Sequence, residues 1–248
     1  IMVDFSRNEL IWGKETQKLL KDKTVFVFGL GGVGGFALES LARAGVQNFT
    51  VVDFDCVSSS NINRQIIALT STIGCKKTDL FEKRLKDINP DIQLTCVCDF
   101  YNENLRDDIF KTKPDYVIDA IDTMRSKIDL LVYCKQNNIP VITSMGAGNR
   151  LDPTQLYITD IKDIENKKCT FTKNVLYQLK KHGIEEGITA VCSRECPSVL
   201  ERISSKENIE TKNGEKIEFT KITPGSTPFV PAVAGYFMGY QVLKDFLS

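Results

Sequence analysis

The sequence predicts an α/β protein: a doubly wound, mostly parallel sheet with a smaller α+β extension at its C-terminal end. Three observations carry that expectation. Short apolar runs alternate with stretches of helical period, a glycine-rich turn separates the first run from the first helix, and an acid closes the second run. The 248 residues, 42% hydrophobic and 26% charged, suffice for one substantial core.

Residues 24–28 (TVFVF) form a run of β-branched and aromatic residues, as in a strand covered on both faces. A helix is expected over 34–44 and the next strand over 49–54. In 77–89, Leu80, Phe81, Leu85 and Ile88 recur at helical spacing, and Asn89-Pro90 ends that helix. Strands near 93–98 and at 116–120, a helix over 125–137 and a strand at 141–144 complete the first region. With an N-terminal helix, it occupies residues 1–148. Residues 149–248 are expected to pack on the same domain, with strands at 156–161 and 188–193 and a basic amphipathic helix at 174–182. The apolar stretch 227–247 contains Pro228, Pro231, Gln241, Lys244 and Asp245, so it predicts a packed helix and not a membrane span. The polar run SSKENIETKNGEK, 204–216, predicts a mobile loop.

Lysine plus arginine equals aspartate plus glutamate at 32 each, so no whole-molecule field selects nucleic acid, membrane or acidic partners. Any such patch must be local. The eight cysteines contain no C-x-x-C pair, which removes the usual structural zinc site and leaves reduced thiols. No basic segment followed by an apolar one precedes the first helix, and a cytoplasmic protein is the expectation.

Gly29, Gly31 and Gly34 satisfy G-x-G-x-x-G, with Gly32 inside the turn and Asp53 nineteen residues past Gly34. Such glycines let the backbone turn tightly and approach phosphates, while the following helix offers free N–H groups to an anion. The pattern belongs to Rossmann-like nucleotide sites, of which NAD is the commonest occupant. The plain alternative is that the glycines only let the helix pack on the strand.

Asn61, Arg64 and Gln65 follow Asp53 and Asp55, and Lys77 opens the next helix. One arginine beside the ribose acid could accept the 2′-phosphate of NADP. The full set suits a triphosphate better: arginine forks two phosphate oxygens, lysine adds a compact charge, and both stabilise charge that grows as a P–O bond breaks. Ordinary surface charges are the alternative for Arg64 and Lys77. In DYVIDAIDTMRSK, Asp119 and Asp122 fall at the carboxyl end of a central strand, where a carboxylate can hold magnesium against phosphates. Asp119 lies within the strand and suits local hydrogen bonding, which makes Asp122 the metal candidate.

The run Gly29-Leu30-Gly31-Gly32-Val33-Gly34, Asp53-Phe54-Asp55, Asn61-x-x-Arg64-Gln65, Gly74-x-x-Lys77, Ile88-Asn89-Pro90 and Asp119-Ala-Ile-Asp122 resembles the ATP-dependent activating-enzyme superfamily. That superfamily includes ubiquitin activators and the adenylyltransferases of molybdopterin and thiamine sulfur carriers. The resemblance implies adenylation of a carboxylate with release of pyrophosphate. It places phosphate on the glycine turn, ribose on Asp53, the triphosphate on Asn61, Arg64 and Lys77, and magnesium on Asp122. Arg7, in FSRNELIWG, matches an arginine donated into a neighbour's site, which implies a homodimer.

RQIIAL, YCKQNNIPVITSMGAGNRLDPTQLYITDI, VCSRECP and PGSTPFVPAVAGYFMGYQVL resemble the branch that dehydrates threonylcarbamoyladenosine in tRNA. The implied substrate is the threonyl carboxylate beside the anticodon of ANN-decoding tRNAs. Once adenylated, it would be attacked by a nitrogen of the same side chain, closing a five-membered ring and expelling AMP. Such a closure gains an effective molarity on the order of 10⁵ M or more. The zinc-binding C-x-x-C pairs of sulfur-carrier activators are missing, but activation of a ubiquitin-like sulfur carrier remains the alternative, and sulfur-transfer partner proteins stay open.

Cys192, in TAVCSRECPSV, could be an acyl- or sulfur-passing nucleophile; the plain reading of it and of Cys196 is that both are small buried residues or incidental thiols. His182, the one histidine, ends a basic stretch with no partner in sight. Lys162, Lys167, Lys168, Lys173, Lys180 and Lys181 outnumber the nearby Asp163 and Glu165 and would form a phosphate-binding stripe if they share a face. A solvated amphipathic helix explains them equally. Phe171 and Tyr177 would stack on a splayed base or, as most aromatics do, pack in the core.

Overall fold

The computed structural model describes the backbone of residues 3–165, 168–198, 200, 203–210 and 216–248, with side chains outside 203–222. Two short helices, α1 (Ser6–Trp12) and α2 (Lys14–Asp22), lead into β1 (Thr24–Phe28), α3 (Gly34–Ala44) and β2 (Asn48–Val52). Next come α4 (Lys77–Ile88), β3 (Gln93–Val97), α5 (Glu103–Ile109), β4 (Tyr116–Asp119), α6 (Met124–Gln136) and β5 (Val141–Ser144). The chain continues through β6 (Leu156–Asp160), α7 (Thr170–Lys181), β7 (Thr189–Ser193), β8 (Ile203–Glu210), β9 (Lys216–Thr223) and α8 (Val230–Leu247).

Seven strands form one sheet in the order β3-β2-β1-β4-β5-β7-β6, parallel throughout except that β6 runs antiparallel to β7. The chain winds from β1 out through β2 to β3, then returns to β4 on the other side. Order therefore reverses between β1 and β4, and the reversal opens a crevice at their carboxyl ends. Phe28 lies opposite both Val52 and Asp119, so the residues that follow β1, β2 and β4 emerge at one rim.

Alternation along β1 explains why the sheet is covered on both faces. Val25 and Val27 enter a core with Leu38, Leu41, Phe81 and Met238, from α3, α4 and α8. Phe26 and Phe28 enter a second core with Leu130, Leu131 and Leu179, from α6 and α7. The residues after 148 extend the same sheet: β7 pairs with β5, and β6 with β7. The C-terminal apolar stretch, α8, lies across α3. A Cβ on Gly235 would stand 2.3 Å from the Val33 carbonyl oxygen, so only glycine admits that approach.

Most expected elements occur within a residue or two; α7 begins at Thr170, four residues before the expected 174, and three further differences stand out. The N-terminal helix is split at Gly13, whose φ of +85° turns the chain between α1 and α2. Residues 103–109 form a helix that lacked a clear apolar period; Asn102 caps it by accepting from Asn104 and Leu105 N–H. The segment expected as a mobile loop begins instead within a hairpin arm, β8, whose backbone pairs with β9 from Ile203 opposite Thr223 to Glu210 opposite Lys216. The two-residue alternation in Ile217-Glu218-Phe219-Thr220 marks the second arm, and ladder pairing overrides the polar composition of the first. Residues 211–215 lie outside the described residues.

Candidate functional site

A cavity of roughly 770 Å³ occupies the crevice at the β1/β4 switch point, within the range of small-ligand pockets. The glycine turn forms its floor. Gly29 has a φ of +87°, and a Cβ there would lie 2.7 Å from the Ala120 carbonyl oxygen; at Gly34 it would sit 1.8 Å from the Gly29 carbonyl oxygen. Those two glycines are required by the fold itself. At Gly31 a Cβ would meet nothing nearer than Gln65 Nε2 at 3.7 Å, so packing leaves room there for a ligand to approach the backbone. Gly32 lies against Arg64 and Pro231.

Asp53 follows β2 and is buried, its Oδ2 accepting the Leu30 N–H at 2.6 Å and its Oδ1 the Asp55 N–H at 2.8 Å. Burial pushes its carboxyl above the usual aspartate range, against the pull of Lys77. The Lys77 side chain is 4% exposed, with Nζ 2.7 Å from Asp55 and 3.5 Å from Asp53, so it is no surface charge. Asn61 and Arg64 come from the loop between β2 and α4. The Asn61 side chain accepts the Ser58 N–H at 3.1 Å and thereby shapes the turn. Arg64 Nη1 donates to the Ser60 carbonyl at 2.8 Å and to Asn63 at 2.9 Å, and among the described residues the guanidinium makes no ion pair. Gln65 is buried, and among the described residues its Oε1 has no partner. All of these residues line the cavity, as does Asp122, which is exposed at the rim and, among the described residues, accepts only from the neighbouring Thr123 hydroxyl at 3.5 Å.

Asp119 is structural. It is fully buried at the end of β4, with Oδ2 accepting Lys127 Nζ at 2.6 Å and the Thr143 hydroxyl at 2.7 Å, and Oδ1 accepting the Ile121 N–H. Arg7 lies exposed on α1 and does not line the cavity of its own chain. Neither do Cys192, Cys196 and His182. Cys192 is buried opposite Tyr157, and burial pushes its thiol up to about 12, unsuited to a nucleophile. The lysines divide. Lys162 pairs with Glu186 and Lys180 with Glu185; with Lys173 they line a shallow hollow beside Tyr177. Lys181 sits over the Tyr177 ring, Lys168 lines the main cavity, and Lys167 lies outside the described residues. Tyr177, expected as core, is 59% exposed because it falls on the outer face of α7; Phe171 is partly buried against the second core.

Several lining residues had no sequence signal of their own. Phe54 and Phe100 meet edge to face at 5.1 Å on the cavity wall, from different strand ends. Arg150 and Cys169 close the end formed by the second half of the chain, and buried Lys127 stands beneath the switch point. A buried lysine has the same letter as a surface one; its placement on the inward face of α6 was the available clue.

Fold and site together define an α/β nucleotide-binding protein whose crevice gathers cations around a glycine turn. Over residues 5–246 the chain belongs to the ThiF family. It is 45% identical over 245 residues to the tRNA threonylcarbamoyladenosine dehydratase of Bacillus subtilis, covering 98% of this chain and 94% of that protein. The solved E. coli tRNA N6-threonylcarbamoyladenosine dehydratase in complex with ATP matches with a TM-score of 0.84 at 30% identity, over 100% of this chain and 97% of that one. The E. coli sulfur carrier protein ThiS adenylyltransferase is 38% identical over 133 residues, 53% of this chain and 52% of that protein.

Proposed function

We propose that the chain is an ATP-dependent enzyme that adenylates the threonyl carboxylate of threonylcarbamoyladenosine in tRNA and lets it cyclise, with net loss of water. The observation that carries this reading is the extent of the likeness to the Bacillus subtilis dehydratase, which spans both halves of the chain. The likeness to the ThiS adenylyltransferase covers 53% of it, and the second half has no C-x-x-C pair.

A carboxylate is a poor electrophile because its charge repels nucleophiles and its oxygen leaves badly. Joining it to AMP removes both faults. In the proposed reaction the carboxylate oxygen attacks the α-phosphorus and pyrophosphate departs, which makes the enzyme ligase-like in its use of ATP. Gly29, Gly31, Gly32 and Gly34 hold phosphate by their backbone, and Asp53 holds the ribose. Asp55 keeps Lys77 Nζ at the floor, from which it can turn to phosphate. Asn61, Arg64, Gln65 and Lys77 surround the triphosphate, with Arg64 and Lys77 stabilising charge on the departing group. Asp122, with no cation beside it, fits a magnesium ion held mainly by phosphates, as that ion is usually bound. When bound, that ion would neutralise phosphate charge.

Arg7 would complete the site of a partner subunit in a homodimer. Residues 149–248, with the Lys162, Lys173 and Lys180 face, would meet the anticodon loop of ANN-decoding tRNA. A sulfur-transfer partner protein is an additional candidate, and a cytoplasmic setting suits a tRNA-modifying enzyme. Among the described residues no helix is long and apolar enough to cross a membrane.

Incubation with ATP, magnesium and tRNA carrying the open-chain modification, followed by nucleoside digestion and mass analysis, tests the reading. Loss of one water from the modified adenosine is expected. An unchanged mass, alongside ATP–pyrophosphate exchange that requires a ubiquitin-like protein, would establish the sulfur-carrier alternative.

A further inference from the structure

Eight cysteines are free in this chain, and one of them differs from the rest in its surroundings. Cys169 stands at the N-cap of the 12-residue helix α7, is 5% exposed and lines the main cavity, through which small molecules can reach it. Arg150 lines the same end and is likewise 5% exposed. Its Nη1 donates to the Gly146 carbonyl and, at 3.0 Å, to the Gly148 carbonyl, while its Nε has no partner. Among the described residues its guanidinium forms no ion pair. A buried arginine in that state is a cation without an anion, an arrangement that costs several kcal/mol unless a negative group answers it.

The Arg150 and Cys169 side chains both border Gly146, where an added Cβ would lie 3.3 Å from Cys169 Sγ and 3.6 Å from Arg150 Nη1. We propose that Cys169 is an electrophile-reactive thiol site, set against the Arg150 cation, whose covalent modification blocks the nucleotide cavity from within. Burial alone pushes the Cys169 thiol up, but Thr172 at the first turn of α7 and the Arg150 guanidinium hold it below its ordinary value. Buried Cys192 and Cys134 are pushed upward by the same desolvation. The helix N-terminus adds its positive dipole end at the sulfur.

With an alkyl halide such as iodoacetamide, the thiolate displaces iodide, forming a C–S bond as the C–I bond breaks. With hydrogen peroxide, sulfur attacks one oxygen: an S–O bond forms and the O–O bond breaks. Sulfur is then oxidised by two electrons to the sulfenic acid, and the peroxide is reduced to hydroxide, which takes a proton to become water. Either product enlarges the side chain inside the cavity that also holds Arg64 and Lys77.

The test is timed labelling of the native protein by iodoacetamide, with peptide mapping by mass spectrometry. Cys169 should react about tenfold or more faster than Cys192, since it lines the cavity beside a cation and Cys192 does not. Saturating ATP should slow Cys169 and leave Cys192 unchanged, and Arg150→Met should bring Cys169 down to the Cys192 rate. Hydrogen peroxide should remove most of the ATPase or tRNA-modifying activity of the unaltered chain, and a much smaller fraction of that of Cys169→Ser. Equal rates for the two thiols, or equal peroxide sensitivity of the two proteins, would overturn the proposal. The rate ratio is read without nucleotide or tRNA, so it fails or succeeds independently of the proposed reaction.

Discussion

Lys127 has no exposure to solvent, and its ammonium group stands 2.6 Å from Asp119 Oδ2, 3.0 Å from the Thr143 hydroxyl and 3.2 Å from the Ser144 carbonyl oxygen. It therefore ties α6 to the ends of β4 and β5 directly under the cavity. Replacing one partner of such a pair leaves the other charge buried alone. Lys127→Met should lower unfolding stability by about 3–5 kcal/mol in urea titrations, and adding Asp119→Asn should recover part of the loss. A cost below about 1 kcal/mol would mean that the pair is not dry. Arg64 differs in having solvent at its rim and no ion pair to lose, so its removal should spare the fold. Arg64→Ala should leave the melting temperature within a few degrees while lowering the adenylation rate by about 10² or more, measured as single-turnover AMP formation. Loss of ATP affinity alone, with the rate intact, would reassign Arg64 to ground-state binding. The contrast shows what sequence reveals at this scale. Asp53, Asn61, Arg64 and Asp122 were legible because turn chemistry and strand ends fix where they emerge. The Asp119–Lys127 pair was not legible as a pair, because its members meet through tertiary packing of a helix on a strand end.

At the scale of elements, α8 and α3 approach so closely that side chains are excluded at two positions one turn apart. A Cβ at Gly235 would meet the Val33 carbonyl oxygen at 2.3 Å and the Phe36 Cβ at 2.9 Å; at Gly239 the nearest atom is the more adaptable Ser40 hydroxyl at 2.0 Å. Alanine is the better helix former by about 1 kcal/mol, but at Gly235 it must push backbone from backbone. Gly235→Ala should therefore destabilise the chain by about 1–3 kcal/mol in thermal or urea unfolding, and Gly239→Ala by less. Stabilisation by Gly235→Ala would show that the helices can slide apart freely. On the other side of α3, Glu39 is 6% exposed and accepts from Arg84 and, at 2.8 Å, from Arg43. Burial raises its carboxyl, and the two arginines outweigh that, leaving it below the ordinary glutamate value of 4.5. A lowered folded-state value adds stability above the unfolded value and loses it as pH falls through the folded one. Both arginines are partly solvated, so the gap between the unaltered chain and Glu39→Gln should be about 1 kcal/mol at neutral pH and narrow below pH 4.5. A gap that persists at pH 3.5 would assign it to packing. Helices and strands of strong period were readable in advance to within a residue or two. The β8–β9 pair was not, since its first strand is polar and owes its form to pairing with a strand later in the chain.

For the whole molecule, the decisive question is whether one chain makes a complete site. Residues 29–122 bring to the cavity the glycine turn, the buried Asp53, the cations Arg64 and Lys77 and the rim carboxylate of Asp122. Arg7 stands outside it on α1, a helix with no buried residue, whose Leu10 and Ile11 are 84% and 81% exposed. An exposed apolar pair, Leu10 and Ile11, on a helix whose Trp12 packs against the core suits a surface covered by a second copy, and an arginine on the same helix would then reach the neighbour's crevice. That arrangement has a consequence no single variant can show. Arg7→Ala and Arg64→Ala homodimers should each be nearly inactive. In a mixed dimer, the subunit carrying Arg7→Ala keeps its own Arg64 and receives Arg7 from its partner, so one of the two sites is whole. Co-expressing the two variants with different affinity tags and purifying through both should yield dimers with about half of full activity, since isologous pairing puts both defects in one site and neither in the other. If Arg7 instead folds back onto its own chain, each subunit of the mixed dimer carries a defect in its own site, and activity stays at the level of the parents. A doubly tagged species that cannot be isolated at any concentration would show that the site is complete without a partner, and Arg7 would then lose its proposed role.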